Sequence, residues 1–232
     1  MKKCYLVILM IAALCSCGVN NTNSNGDKAA VSKVIETPTE AIEALKEGNK
    51  RFFEGRRVNG HCDMEYVKSL DVDGQKPFAV VIACSDSRVP VELLFDQGFG
   101  DLFVIRTAGN SLIDNVTLGS VDYAINHLHS KVVVVLGHTN CGAVTAIVNM
   151  GDKHAHIVEN DYEVQELLEK IATYIPQHKG SRKELDQAIL DNIEIQKEKV
   201  LNREHIQKLI SDKKLDVVSA MYHLDSGVVE FL

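Results

Sequence analysis

Two short apolar runs, each ending in side chains able to hold a metal, constrain this chain more than any other feature. Pro77-Phe78-Ala79-Val80-Val81-Ile82-Ala83 leads into Cys84-Ser85-Asp86-Ser87-Arg88, and Val132-Val133-Val134-Val135-Leu136-Gly137 leads into His138-Thr139-Asn140-Cys141-Gly142. Both runs are continuously apolar and rich in β-branched residues, the pattern of a strand buried on both faces. Open α/β sheets take their ligands just beyond the carboxyl ends of such strands. Two thiolates and an imidazole suit zinc, and three protein ligands leave a fourth position for water. A buried cysteine is by default an inert small hydrophobe, and His-x-x-Cys alone is a weak signal. Two half-sites at the ends of two buried strands point instead to a catalytic zinc held by Cys84, His138 and Cys141.

The rest of the chain supplies the layers that such strands need. Thr37-Pro38-Thr39-Glu40 opens a helix with a Thr cap, Pro at the first helical position and a capping-box Glu. Ile42, Leu45, Phe52 and Phe53 give that helix an apolar face, interrupted by Gly48. A short helix is predicted near 63–70, a helical turn after Pro90, a strand over 102–106 and a helix over 116–129. A further helix over about 141–150 follows the second buried strand, then a polar loop over 152–161 and helices near 162–175 and 182–211. Strands over 215–224 and 228–232, joined by Asp225-Ser226-Gly227, read as a terminal hairpin. The alternation implies βαβ units. The fold class is therefore α/β: a central, mainly parallel β-sheet flanked by helices, with a carboxy-terminal hairpin.

Cys-Ser-Asp-Ser-Arg-Val over 84–89 and His-x-x-Cys-Gly over 138–142 resemble the two signature stretches of the β-class carbonic anhydrases. The resemblance covers about residues 37–232, with the same order of elements. It implies Cys84, His138 and Cys141 as ligands of one zinc per chain and Asp86–Arg88 as a catalytic dyad. In some family members the matching aspartate takes the fourth zinc position, so Asp86 is also a conditional metal ligand. The reaction implied is reversible hydration of carbon dioxide to bicarbonate and a proton by a zinc-bound hydroxide. Chemistry gives the dyad the same part: an Arg–carboxylate pair keeps the acid ionised and fixes its direction, and an ionised Asp accepts hydrogen bonds only. Gln75 matches a glutamine that can donate to bound bicarbonate, and Phe103 and Tyr123 match aromatics lining the substrate pocket. Those pocket residues are shared across a dimer interface in the family, which implies a homodimer or homotetramer. The helix containing Leu45-Lys-Glu-Gly-Asn-Lys-Arg-Phe52 resembles an amino-terminal arm that commonly reaches onto a partner subunit. The family fold also hosts hydrolysis of carbonyl sulfide or carbon disulfide. A non-catalytic zinc-binding lipoprotein is a third reading, which the intact Asp86–Arg88 pair argues against. Of the other histidines, any one of His61, His127, His129, His154, His156, His178, His205 and His223 is a candidate proton shuttle.

The first 16 residues read as a signal peptide: Lys2 and Lys3, an apolar run from Tyr5 to Leu14, then Leu14-Cys15-Ser16-Cys17. The last four resemble a bacterial lipobox, with Cys17 as the lipidated first residue of the mature chain and 17–36 as a flexible tether. The expected location is that of an exported lipoprotein, anchored to a membrane on its periplasmic or cell-envelope face. Removing residues 1–16 takes away two lysines and no acid, so the formal charge of −7 becomes −9. That balance argues against nucleic-acid binding and leaves lipid as the only membrane attachment. Besides Cys17, the mature chain keeps Cys62, Cys84 and Cys141, too sparse a set for a disulfide framework.

Overall fold

In the computed structural model the two apolar runs become β1 (Ala79–Cys84) and β3 (Val132–His138), with every residue of both strands buried. The structure describes residues 34–150, 161–175 and 181–232. The proposed signal peptide, Cys17, most of the tether, nearly all of the 152–161 loop, His154, His156 and His178 lie outside the described residues.

Both strands are buried because helices cover the sheet on each side. Alternate side chains serve opposite layers, as the two-residue period of a strand dictates. Val80, Ile82, Cys84, Val133 and Val135 face one layer, and Ala79, Val81, Ala83, Val132, Val134 and Leu136 face the other. The first layer contains α4 (Asn115–Asn126), α5 (Gly142–Met150), α6 (Tyr162–Ala172), α7 (Arg182–Leu201) and α8 (Glu204–Ser211). The second contains α1 (Pro38–Phe53) and the short α3 (Val91–Leu94). Strands β2 (Leu102–Thr107), β4 (Asp216–Tyr222) and β5 (Val229–Phe231) complete a five-stranded sheet in the order β2-β1-β3-β4-β5. All neighbours are parallel except β4 and β5, the expected terminal hairpin. From β1 the chain crosses to β2 on one side and later returns to β3 on the other. The order therefore reverses between β1 and β3, the switch point at which open sheets leave a crevice.

The helices begin and end for local reasons. Thr37 accepts from the Glu40 amide and Glu40 answers at the Thr37 amide, closing the expected capping box of α1. Helix α2 (Met64–Asp73) runs a turn beyond expectation and stops at Gly74, whose φ of 75° only glycine adopts without strain. The long 182–211 segment breaks at Asn202 and Arg203, where extended backbone at Arg203 separates α7 from α8. Gly48, which looked like an interruption of α1, is what allows its packing. A Cβ there would sit 1.8 Å from the Phe95 carbonyl oxygen. Beside it, buried Asn49 donates to the carbonyls of Leu94 and Gly227 and accepts from the Val229 amide. These contacts, with buried Ala41 and Leu45, bind α1 to its own chain, α3 and the terminal hairpin included.

Candidate metal centre

Because β1 and β3 pair in register from Ala79–Val132 to Ala83–Leu136, their carboxyl ends emerge side by side. Cys84 closes β1, His138 closes β3, and Cys141 follows one turn later at the entrance to α5. All three are buried, and their ligand atoms lie within 4.8 Å of one another. The two sulfurs are 4.0 Å apart, close to the roughly 3.8 Å expected for two thiolates on one tetrahedral zinc with bonds of about 2.3 Å. His138 Nδ1 lies 3.0 Å from the Thr139 carbonyl oxygen. A carbonyl only accepts, so Nδ1 carries the proton and Nε2 keeps its lone pair for the cluster. That Nε2 is buried without a hydrogen-bond partner among the described residues. An orphaned imidazole nitrogen and two thiols at this spacing fit zinc.

The Cys84 thiol is pulled down by its hydrogen bond with Cys141, against burial, with help from the Asp86 amide at 3.5 Å. Cys141 is pushed up by the neighbouring Cys84 sulfur and by burial. A dication bound there would hold both sulfurs as thiolates.

Asp86 is turned toward Arg88. Its Oδ1 accepts from the Arg88 amide at 3.0 Å and Nε at 2.9 Å, and its Oδ2 accepts from Nη2 at 2.7 Å. The Arg88 guanidinium is the main reason the carboxyl lies far below the usual carboxylate range. Asp86 Oδ2 also stands 3.9 Å from His138 Nε2, so an ionised acceptor borders the cluster. Arg88 Nη2 reaches on to the Asn140 carbonyl, between the second pair of ligands. Sequence reasoning did not foresee the brace beneath this loop. Arg106, on β2, donates from Nε to the Cys84 carbonyl at 3.1 Å and from Nη2 to the Asp86 carbonyl at 2.6 Å. Its register opposite Ala83 was the available signal, had the strand pairing been known.

The expected substrate-pocket residues do not join the cluster within this chain. Gln75 is exposed between α2 and β1. Phe103 and Tyr123 do meet, with ring centroids 6.2 Å apart. Phe103 is paired with Val80 and Cys84 with Thr107, so Phe103 lies about 13 Å back along the sheet from the ligand end, at some 3.3 Å per residue.

Two thiols and an imidazole at a sheet's switch point, bordered by an ionised carboxylate, form a candidate metal site with three protein ligands. The family model described as carbonic anhydrase matches residues 79–229. The chain is 50% identical over 109 residues to carbonic anhydrase 2 of Mycobacterium tuberculosis, an alignment covering 47% of this chain and 52% of that protein. It thus spans about half the length of the curated relatives it matches. Among solved structures it resembles the β-carbonic anhydrase CcaA, with a TM-score of 0.63 and 24% identity over 82% of this chain and 98% of that one. It also resembles tetrameric β-carbonic anhydrases of Sordaria macrospora, with a TM-score of 0.61 and 23% identity over 73% of this chain and 87% of that one. The chain belongs to the carbonic anhydrase family, and its fold is that of the β class.

Proposed function

We propose that this protein catalyses the reversible hydration of carbon dioxide to bicarbonate and a proton at one zinc per chain. The observation that carries the reading is the Asp86–Arg88 pair beside the Cys84–His138–Cys141 cluster. A scaffold would need the three ligands alone. Zinc bound there supplies a Lewis acid that makes water nucleophilic near neutral pH. Cys84, Cys141 and His138 Nε2 hold it, and the Thr139 carbonyl holds the imidazole in the required tautomer. Asp86, kept ionised by Arg88, accepts the proton side of the attacking water and turns a lone pair toward the carbon of carbon dioxide. Held so far below the carboxylate range, Asp86 is too weak a base to retain the released proton, which passes to solvent or buffer.

Gln75, Phe103 and Tyr123 act as substrate-binding residues for a neighbouring subunit's site in a homodimer or homotetramer. Two features support this: β2 is an edge strand and Tyr123 is about half exposed beside Phe103. The solved relatives from Sordaria macrospora are tetrameric. The leader supports export and attachment to a membrane through lipid on Cys17.

Stopped-flow hydration of carbon dioxide, run beside hydrolysis of carbonyl sulfide and carbon disulfide on the same zinc-loaded protein, tests the reading. Rapid hydration with little hydrolysis is expected. Preferred turnover of either sulfur compound would reassign the substrate.

A further inference from the structure

One loop stands behind both halves of the metal cluster, and its partners lie on a helix that holds no ligand. The turn Ala108–Asn110 follows β2, and its Gly109 has a φ of 60°. The turn packs against β1, the strand that ends in Cys84, and against α5, the helix that follows Cys141. A Cβ on Gly109 would come within 3.4 Å of Ala143 Cβ, two residues after Cys141. The turn thus lies against both ligand-bearing stretches, with Gly109 close to the second.

The carbonyl of the same residue is held by α7. Asn192 Nδ2 donates to the Gly109 carbonyl at 2.8 Å and to Asn110 Oδ1 at 3.3 Å. Asn192 Oδ1 accepts from Gln196 Nε2 at 3.0 Å, and Gln196 Oε1 accepts from the Leu112 amide at 2.9 Å. Lys199 Nζ closes the chain by donating to Gln196 Oε1 at 3.1 Å and to the Leu112 carbonyl at 3.0 Å. Asn192 and Gln196 are fully buried. The direction of every bond is fixed. A carbonyl at Gly109 requires the Asn192 amide nitrogen to face it, which leaves Oδ1 for Gln196 Nε2. Gln196 must then present its oxygen to the Leu112 amide. Neither amide can flip without setting donor against donor or acceptor against acceptor.

We propose that Asn192 and Gln196 are positioning residues for the metal site: through Gly109 and Leu112 they fix the turn that packs on the strand ending in Cys84 and on the helix that follows Cys141. This rests on the metal-site reading above. Outer partners that orient ligands typically change metal affinity or activity by about 10–100-fold when removed.

The test uses Asn192→Leu, which removes the donors to Gly109 and Asn110 at similar volume. Zinc affinity is measured by competition with a chelator, and the electronic absorption of the cobalt-loaded protein reports the geometry of its thiolate ligands. Asn49→Leu serves as the control, since it removes a buried asparagine of similar connectivity on the opposite layer. Both variants should be less stable. Only Asn192→Leu should lose about 10-fold or more in zinc affinity and shift the cobalt bands. Gln196→Glu keeps the acceptor for Leu112 and Lys199 but gives up the donor to Asn192. It carries the same readouts should Asn192→Leu not accumulate folded, and a cobalt shift is again expected. A folded variant with wild-type zinc affinity and wild-type cobalt bands would overturn the proposal. Wild-type protein that binds no zinc would overturn the metal-site reading itself, a failure distinct from the first.

Discussion

Replacing Asp86 by Asn is the sharpest single perturbation of the dyad, because it preserves shape and removes only charge and one acceptor. In the native pair Oδ1 takes two N–H groups of Arg88 and Oδ2 takes Nη2 at 2.7 Å. An amide must place its NH₂ at one of these positions, so a donor meets a donor whichever way it is turned. At least one charge-assisted bond is lost, each of about 1.5–3 kcal/mol in a protected setting. Arg88 is half exposed, so solvent screens the pair and the cost to folding should stay below about 1 kcal/mol. The cost to the reaction should be larger, because the acceptor that orients the nucleophile is gone. Misplacing a reacting group by about 1 Å can cost about 100-fold, and a fall in kcat of about that size is expected for a variant that stays polar. None of the three ligands is touched, so zinc content should not change. Stopped-flow hydration with a pH indicator, on protein whose zinc has been quantified, gives the number. Wild-type turnover in zinc-replete Asp86→Asn would reduce the dyad to a pair that merely orders the loop.

Three further outcomes follow from other parts of the fold. Gly48→Ala should lower the urea midpoint by an amount equivalent to about 1–3 kcal/mol, because its Cβ would meet the Phe95 carbonyl. An ordinary helical site would instead gain about 1 kcal/mol from the same change, so the sign decides. Burial works to raise the pKa of Asp96, but the amides of Val58 and Asn59 and the Arg51 guanidinium outweigh it and hold the group below its ordinary value. The stability that wild type holds over Asp96→Asn should thus be complete above the unfolded value of about 3.9 and shrink as pH falls through it; urea titrations from pH 6 to 3 showing a constant gap would refute this. Cys17→Ser should move the protein out of the membrane fraction or leave an uncleaved precursor, and mature wild-type protein free of lipid would count against the anchor.

The Cys84–His138–Cys141 cluster was legible because burial on both faces leaves a strand no polar positions until it ends. Cys84 and His138 therefore stand out as the first chemistry after each apolar run. The capping box of α1 was equally plain, being written in four consecutive residues. Gly48 was not, since its use depends on a carbonyl 47 residues later in the sequence. The bracing role of Arg106 was hidden for a similar reason: its partners are the backbone carbonyls of Cys84, at the end of the neighbouring strand, and of Asp86 in the loop beyond, and no side-chain pattern announces them. Asn192 and Gln196 did leave a trace, as polar residues on the same stripe of α7 as buried Ile189, Ile193 and Val200. Reading that trace required knowing that the stripe faces the Gly109 turn. Gln75, Phe103 and Tyr123 were named through the resemblance alone, and no pattern in the residues placed them: within this chain Phe103 pairs with Val80, four residues back from the ligand end of β1.

The central claim, a zinc-dependent hydratase built on Cys84, His138 and Cys141, meets its most direct test in a metal titration. Zinc is stripped from the protein with a chelator, the chelator is removed, and carbon dioxide hydration is followed by stopped flow as zinc is returned. The rate should start near the uncatalysed value, rise in proportion to added zinc and break at about one equivalent per chain, the single site the three ligands form. Hydration that survives complete removal of zinc, or that never appears at one equivalent in folded protein, would contradict it.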